Sequence, residues 1–297
     1  MRGRGFTLIE LLVTIAIMAL LVGILLPSLA AARKSARAVV CLGSQRSVAT
    51  GMFAYTGDHR DATIPSFNMS DVAGNSPIDG WAPILDRDGY VPAPEQSRAS
   101  VFYCPETIDV EGMKNGQTGN DPDLPKGWMD WPNQRTGSRN FPLLIPERGF
   151  RRIIRVSYWI NADNPIGAQV DALSPDLYFT SSVGYGPDRA GRFLRTTYAA
   201  AFKRPSTLIA TADGVYAGRQ RDSKPRSTNS RIGYRHPGTG GGAANIAFAD
   251  GHAGTIAGRD FPRGIPSNAA DLPAVREENS SGRPTVFADP DRALGPR

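Results

Sequence analysis

Gly5-Phe6-Thr7-Leu8-Ile9-Glu10, continued by Leu11-Leu12-Val13-Thr14-Ile15-Ala16-Ile17-Met18-Ala19-Leu20-Leu21-Val22-Gly23-Ile24-Leu25-Leu26, is the stretch from which the rest of the chain is read. Between Phe6 and Leu26 the sequence is almost unbroken apolar. As a helix rising 1.5 Å per residue it spans about 32 Å, close to the roughly 30 Å hydrocarbon thickness of a bilayer. A membrane-crossing helix is therefore expected. One residue inside it is out of character: Glu10 places a carboxylate near the start of the run. An ionised carboxylate there costs about 2.5 to 3.5 kcal/mol on insertion scales, which implies a partner for the charge.

An ordinary secretory signal has a basic start, an apolar stretch of roughly 7 to 15 residues and a small-x-small cleavage site beyond it. Here the run is longer, although Ala30-Ala31-Ala32 after Pro27 offers such a site, and cleavage there is the alternative. Together with the basic leader residues Arg2 and Arg4, the segment from Gly5 to Glu10 resembles the processing site of type IV prepilins and type II secretion pseudopilins. The resemblance implies that a prepilin peptidase cuts after Gly5 and methylates the new amine of Phe6. Glu10 is then the fifth residue of the mature chain, as in that family, and Pro27 falls where many members carry a helix-kinking proline. It also implies a bacterial inner-membrane protein with its leader in the cytoplasm and its C-terminal domain outside. Its partners would be the peptidase, other pilin or pseudopilin subunits and membrane lipid. The positive-inside rule alone gives no orientation, because Arg33, Lys34 and Arg37 balance Arg2 and Arg4 across the run.

The chemistry of the segment agrees with this. After removal of Gly5 the amine of Phe6 is a positive charge four residues from Glu10 on one helix face. The helix dipole also favours a carboxylate in the first turns. Glu10 can pair with its own amine or with that of a neighbouring subunit. The resemblance implies the second, which would set the stagger between subunits; the residues alone permit both.

Beyond Pro27 the alanines favour continued helix, and Leu29, Ala36, Val40, Val48, Met52 and Tyr55 recur on one face. The helix is expected to run to about Tyr55 and to pack its second half on the following domain, with a break at Pro27 as the alternative. The expected fold class is α+β and pilin-like: a long N-terminal helix, transmembrane in its first half, on an antiparallel β-sheet domain. The expected division is a leader at 1–5, the helix at 6–55, a β-rich domain at 56–256 and a poorly ordered tail at 257–297, where Pro, Arg, Asp and Ser dominate.

The chain has 297 residues, 40% hydrophobic content and a formal charge of +6, enough length and apolar content for a sizeable core. Its arginines are interspersed with Asp and Glu, with no basic run or stacked aromatic pattern, which argues against nucleic acid as a specific partner. Cys41 and Cys104 are too few for a disulfide scaffold and lack the paired spacing of a zinc site. An extracytoplasmic location would allow one bond between them, or each serves as a small buried apolar residue.

Several segments resemble a subgroup of pilin-like proteins abundant in planctomycete-type bacteria, among them Cys41-Leu42-Gly43-Ser44-Gln45, Val101-Phe102-Tyr103-Cys104-Pro105 and Lys203-Arg204-Pro205-Ser206. That subgroup carries a histidine, about nine residues, then Asp-Gly. Here thirteen residues, with a glycine-rich expansion, separate His236 from Asp250-Gly251. The segment Ile209-Ala210-Thr211-Ala212-Asp213-Gly214 resembles Ile246-Ala247-Phe248-Ala249-Asp250-Gly251, and each reads as an alternating strand entering a tight hairpin turn. The aspartates would then serve turn geometry. The alternative gathers Asp213, His236, Asp250 and His252 around one structural metal ion, the one cofactor the residues suggest.

Arg152 to Ile160 reads as one strand, and Asn115 to Arg148 as long surface loops because of its Gly, Pro, Asn and Asp content. The chain has no Gly-x-Ser-x-Gly elbow, and Gly238-Thr239-Gly240-Gly241-Gly242 lacks the Lys-Ser or Lys-Thr of a phosphate loop. A non-enzymatic role is expected. The alternatives are a ligand- or DNA-binding minor pilin and a metal-dependent hydrolase using His236, His252 and Asp250.

Overall fold

Thr7 stands in extended backbone and opens the first helix, α1, which runs Leu8–Asp58 over 51 residues. Its hydroxyl accepts the Glu10 backbone N–H at 3.2 Å, and the Glu10 carboxylate accepts the Thr7 backbone N–H at 2.8 Å. This is a capping box, in which two otherwise unpaired helix-start donors are satisfied reciprocally. The helix continues through Pro27 without a break. It stops at His59, whose N–H still reaches the Tyr55 carbonyl at 3.0 Å, and Arg60 and Asp61 at positive φ turn the chain away.

The computed structural model describes residues 7–65, 67–69, 77–94, 100–107, 128–136, 139–161, 197–214, 232–239, 242–257 and 284. The leader expected at 1–5, with Gly5 and Phe6, and nearly all of the tail expected at 257–297 lie outside these residues. After α1 come β1 (Phe67–Met69), β2 (Pro77–Gly80), α2 (Trp81–Arg87), β3 (Met129–Trp131), β4 (Asn133–Thr136) and β5 (Arg139–Pro142). They are followed by β6 (Ile154–Val156), β7 (Tyr158–Ile160), β8 (Ile209–Asp213), β9 (Ala243–Phe248) and β10 (Ala253–Ala257). The architecture is the expected α+β one: a long N-terminal helix with antiparallel sheets.

Among the described residues the strands form one sheet in the order β1-β2-β4-β5, a second in the order β10-β9-β8-β7, and a two-stranded pair of β3 with β6. Every pairing is antiparallel. The second sheet positions the site. Strands β8 and β9 are buried at every residue, which requires cover on both faces. One face carries Trp159, Ala212, Ala244 and Ile246, packed with Ile232 and Phe248. On the other lies the second half of α1, which touches β8, β9 and β10.

The helix face that docks keeps Val48, Met52 and Tyr55 of the expected stripe but not its upstream members. Cys41, Gln45, Val48, Ala49, Gly51 and Met52 are buried, whereas Leu29, Ala36 and Val40 are exposed. Among the described residues the domain reaches the helix at Arg37 and Ala38 and buries its residues from Cys41 onward, so the apolar residues further upstream stay exposed. The docking surface is partly polar. Thr211 Oγ1 donates to Gln45 Oε1 at 2.7 Å, and Asn245 Nδ2 donates to the Ala38 carbonyl at 2.9 Å.

Two further expectations change. Of the stretch from Asn115 to Arg148, residues 115–127 lie outside the described residues, and the described part holds β3, β4 and β5 rather than loops alone, because short strand pairs around the buried Trp131 need no apolar periodicity. The single strand expected over Arg152 to Ile160 divides at Ser157: β6 pairs with β3, while β7 pairs with β8. Ser157 is fully buried and ties in the segment before it in space, since its N–H donates to the Phe102 carbonyl at 2.9 Å and its hydroxyl accepts the Cys104 N–H at 2.6 Å.

Candidate functional site

Two regions carry unusual chemistry. The first is the N-terminal half of α1. From Leu8 to Ala32 the helix is exposed on all sides, and Leu8, Ile9, Met18, Leu20 and Ile24 each show more than half of their surface. It is the one described helix long and apolar enough to cross a membrane. The hydroxyls inside the run are consistent with a hydrocarbon surrounding, because Thr14 and Ser28 donate back to the Leu11 and Leu25 carbonyls, each at 2.8 Å. Pro27 is part of the same continuous rod. Glu10 is exposed at the first turn and held in place by Thr7, whose hydroxyl also donates to Oε2 at 2.8 Å.

The second region is buried. Cys41 from α1, Cys104 from the segment after α2, Asp213 at the end of β8 and His236 beside the start of β9 meet in one cluster. One ligand-type atom from each lies within 4.8 Å of the other three, and all four residues are buried. Cys41 Sγ donates to Asp213 Oδ1 at 3.0 Å. His236 Nε2 lies 3.0 Å from Asp213 Oδ2 and 3.6 Å from Cys104 Sγ. The Tyr158 hydroxyl lies 3.7 Å from Cys41 Sγ. Both cysteines are free thiols in this structure.

The backbone fixes each member. His236 exchanges both backbone hydrogen bonds with Ala243, at 3.0 and 2.9 Å. Asp213 Oδ2 also accepts the Asn245 N–H at 2.7 Å. Burial pushes the Cys41 thiol far up from its ordinary value, with the neighbouring Cys104 and Asp213 adding to the effect. Cys104 is drawn down from its ordinary value by the neighbouring Cys41 thiol and then by His236, against the effect of its own burial. Burial alone would lower His236, but the hydrogen bonds and charges of Asp213 and Cys104 raise it to about 9.

The residues singled out in the sequence are divided between two places. Asp213 and His236 come together, but with the two cysteines rather than with Asp250 and His252. Asp250 and His252 form their own partly exposed pair at the turn between β9 and β10, where His252 N–H and Nδ1 both approach Asp250 Oδ1. That turn is the expected tight hairpin, with Gly251 at φ +90°. The Asp213-Gly214 pair is different: Asp213 ends a strand and turns a fully buried carboxylate into the cluster. The residues after Gly214 that would complete the expected hairpin lie outside the described residues. No spacing in the chain could have signalled the four-residue cluster, because Cys41 and Asp213 are 172 positions apart and Cys104 and His236 are 132 apart.

The family described as the prokaryotic N-terminal methylation motif matches residues 1–26. No curated protein and no solved structure matches the chain. The chain therefore carries a prepilin-type N-terminal motif, and the match covers the apolar half of α1 without reaching the domain.

Proposed function

We propose that this chain is a non-enzymatic pilin-like or pseudopilin-like subunit. A prepilin peptidase cuts it after Gly5 and methylates Phe6, and α1 holds it in the bacterial inner membrane with the β-rich domain outside the cytoplasm. From there it joins a type IV pilus or type II secretion-like filament. The observation that carries this reading is the division of α1. Its second half is docked on the domain, while its first half exposes apolar side chains on every side and carries the methylation motif. A helix apolar all round needs lipid or other apolar helices as its surroundings. Lipid serves before assembly, and the same surface of neighbouring subunits serves after it. The enclosure of the Cys104 and His236 pair supports a non-enzymatic role, because neither residue offers a substrate more than a trace of surface.

The test is retention of the chain in filaments sheared from cells that contain the prepilin peptidase. The unmodified chain is expected in the sheared fraction. A Gly5→Leu variant, with the cleavage position blocked, is expected to stay in the membrane at its full length. Equal recovery of both proteins from sheared filaments would contradict the proposal.

A further inference from the structure

The buried cluster has a composition that neither hairpin geometry nor membrane assembly requires. Two thiols, one carboxylate and one imidazole converge from four separate chain segments, with all four ligand-type atoms within 4.8 Å of one another. Tetrahedral zinc sites place sulfur about 2.3 Å and nitrogen or oxygen about 2.0 to 2.2 Å from the metal, so neighbouring ligand atoms stand roughly 3.3 to 3.8 Å apart. Cys41 Sγ to Asp213 Oδ1 is 3.0 Å, Asp213 Oδ2 to His236 Nε2 is 3.0 Å, and His236 Nε2 to Cys104 Sγ is 3.6 Å. These three contacts lie within a few tenths of an ångström of tetrahedral edges, with the carboxylate meeting Cys41 through Oδ1 and His236 through Oδ2, and a shift of one carboxylate oxygen would be needed to close the shell within the 4.8 Å span of the set.

We propose that Cys41, Cys104, Asp213 and His236 together bind one divalent transition-metal ion of the zinc class, which clamps α1 to the sheet that carries β8 and β9. Thiolate and imidazole ligands select zinc over the hard cations magnesium and calcium, and four protein ligands leave no open position for a substrate. The site is therefore a structural one. Nε2 is the imidazole ligand atom, because it faces Asp213 and Cys104. Supporting bonds orient the other ligands: Asn245 N–H holds Asp213 Oδ2, and Ser157 holds the Cys104 backbone. Metal uptake displaces protons from the thiols and leaves the imidazole neutral. The inference does not depend on whether the chain enters a filament.

The cluster also accounts for a helix docked through a polar seam. Cys41 is the first fully buried residue of α1, at the point where the exposed rod meets the domain. A metal joining it to Asp213, His236 and Cys104 links the rod to three segments of the domain at that junction.

The experiment uses the untagged full-length chain in detergent, reduced and freed of metal with a chelator, then titrated with cobalt(II) and separately with zinc(II). Uptake of one ion per chain is expected, and the cobalt form should show thiolate-to-cobalt charge transfer with the intense visible bands of a tetrahedral site. Cys104→Ser should reduce the charge-transfer intensity by about half, because one of two thiolates remains. Asp250→Asn and His252→Ala, which alter the separate pair at the hairpin, should leave the spectrum unchanged. Three results would each overturn the proposal. One is no uptake by the reduced, folded wild-type chain. Another is full charge transfer in Cys104→Ser. The third is isolation of the native chain without metal and with Cys41 and Cys104 joined as a disulfide.

Discussion

Glu10 shows how much one side chain is asked to do. In the isolated chain its carboxylate closes the capping box with Thr7, so its presence in an apolar run already has a local cause. Under the assembly reading the same carboxylate also meets the amine of a neighbouring Phe6. The two roles separate by substitution. Gln at this position keeps the capping box, since its side-chain oxygen still accepts the Thr7 N–H, but removes the charge. Ala removes both. If inter-subunit pairing governs assembly, Glu10→Gln and Glu10→Ala should both lower recovery in sheared filaments, with cleavage after Gly5 unaffected. Filament recovery retained by Gln and lost by Ala would assign Glu10 to the cap alone. The two Asp-Gly pairs teach the reverse lesson. Asp213 and Asp250 have the same local sequence context, and only tertiary packing makes one a buried member of the thiol cluster and the other an exposed turn residue. A local pattern carries turn chemistry well and carries nothing about partners 172 positions away.

Among elements, α1 was the most legible, because a continuous apolar run and helix-favouring alanines are both signals along one dimension. Its docked face was less so. Leu29, Ala36 and Val40 have the right periodicity, yet they lie upstream of the buried part of the helix, while Gln45 is fully buried with its side-chain oxygen paired to Thr211. The short strands β3 to β5 left no apolar alternation to read, and Ser157 divided a strand that composition presents as continuous. The glycines of α1 give a test of where the helix docks. Gly51 faces Val91 so closely that a Cβ there would collide with its side chain, whereas nothing lies within 4 Å of a Cβ placed on Gly43. Gly43→Ala should therefore stabilise the folded chain by about 1 kcal/mol through helix propensity. Gly51→Ala gains the same propensity but must displace Val91, for an expected net loss of about 1 to 2 kcal/mol. Urea midpoints of the two variants in detergent would compare them, and stabilisation by Gly51→Ala would contradict the docking described for α1 and the Val91 segment.

At the scale of the whole molecule, the chain joins two halves with opposite needs. Among the described residues, Leu8 to Ala32 are an exposed helix, and the second half of that helix packs on the sheet whose strands β8 and β9 are covered on both faces. This separation was visible in the sequence as a change of composition after Pro27. The four-segment thiol cluster that joins the halves was not, because its members were each noticeable alone while nothing local shows that Cys41 meets Asp213 172 positions away or Cys104 meets His236 132 away. Everything proposed about assembly rests on how the N-terminus is processed. The most direct measurement is the intact and N-terminal peptide mass of the chain extracted from membranes that contain a prepilin peptidase. The account predicts a mature chain that begins at Phe6 and carries one methyl group on its amine. A chain beginning after Ala30, Ala31 or Ala32, or one that keeps Met1 to Gly5 in the presence of active peptidase, would contradict it.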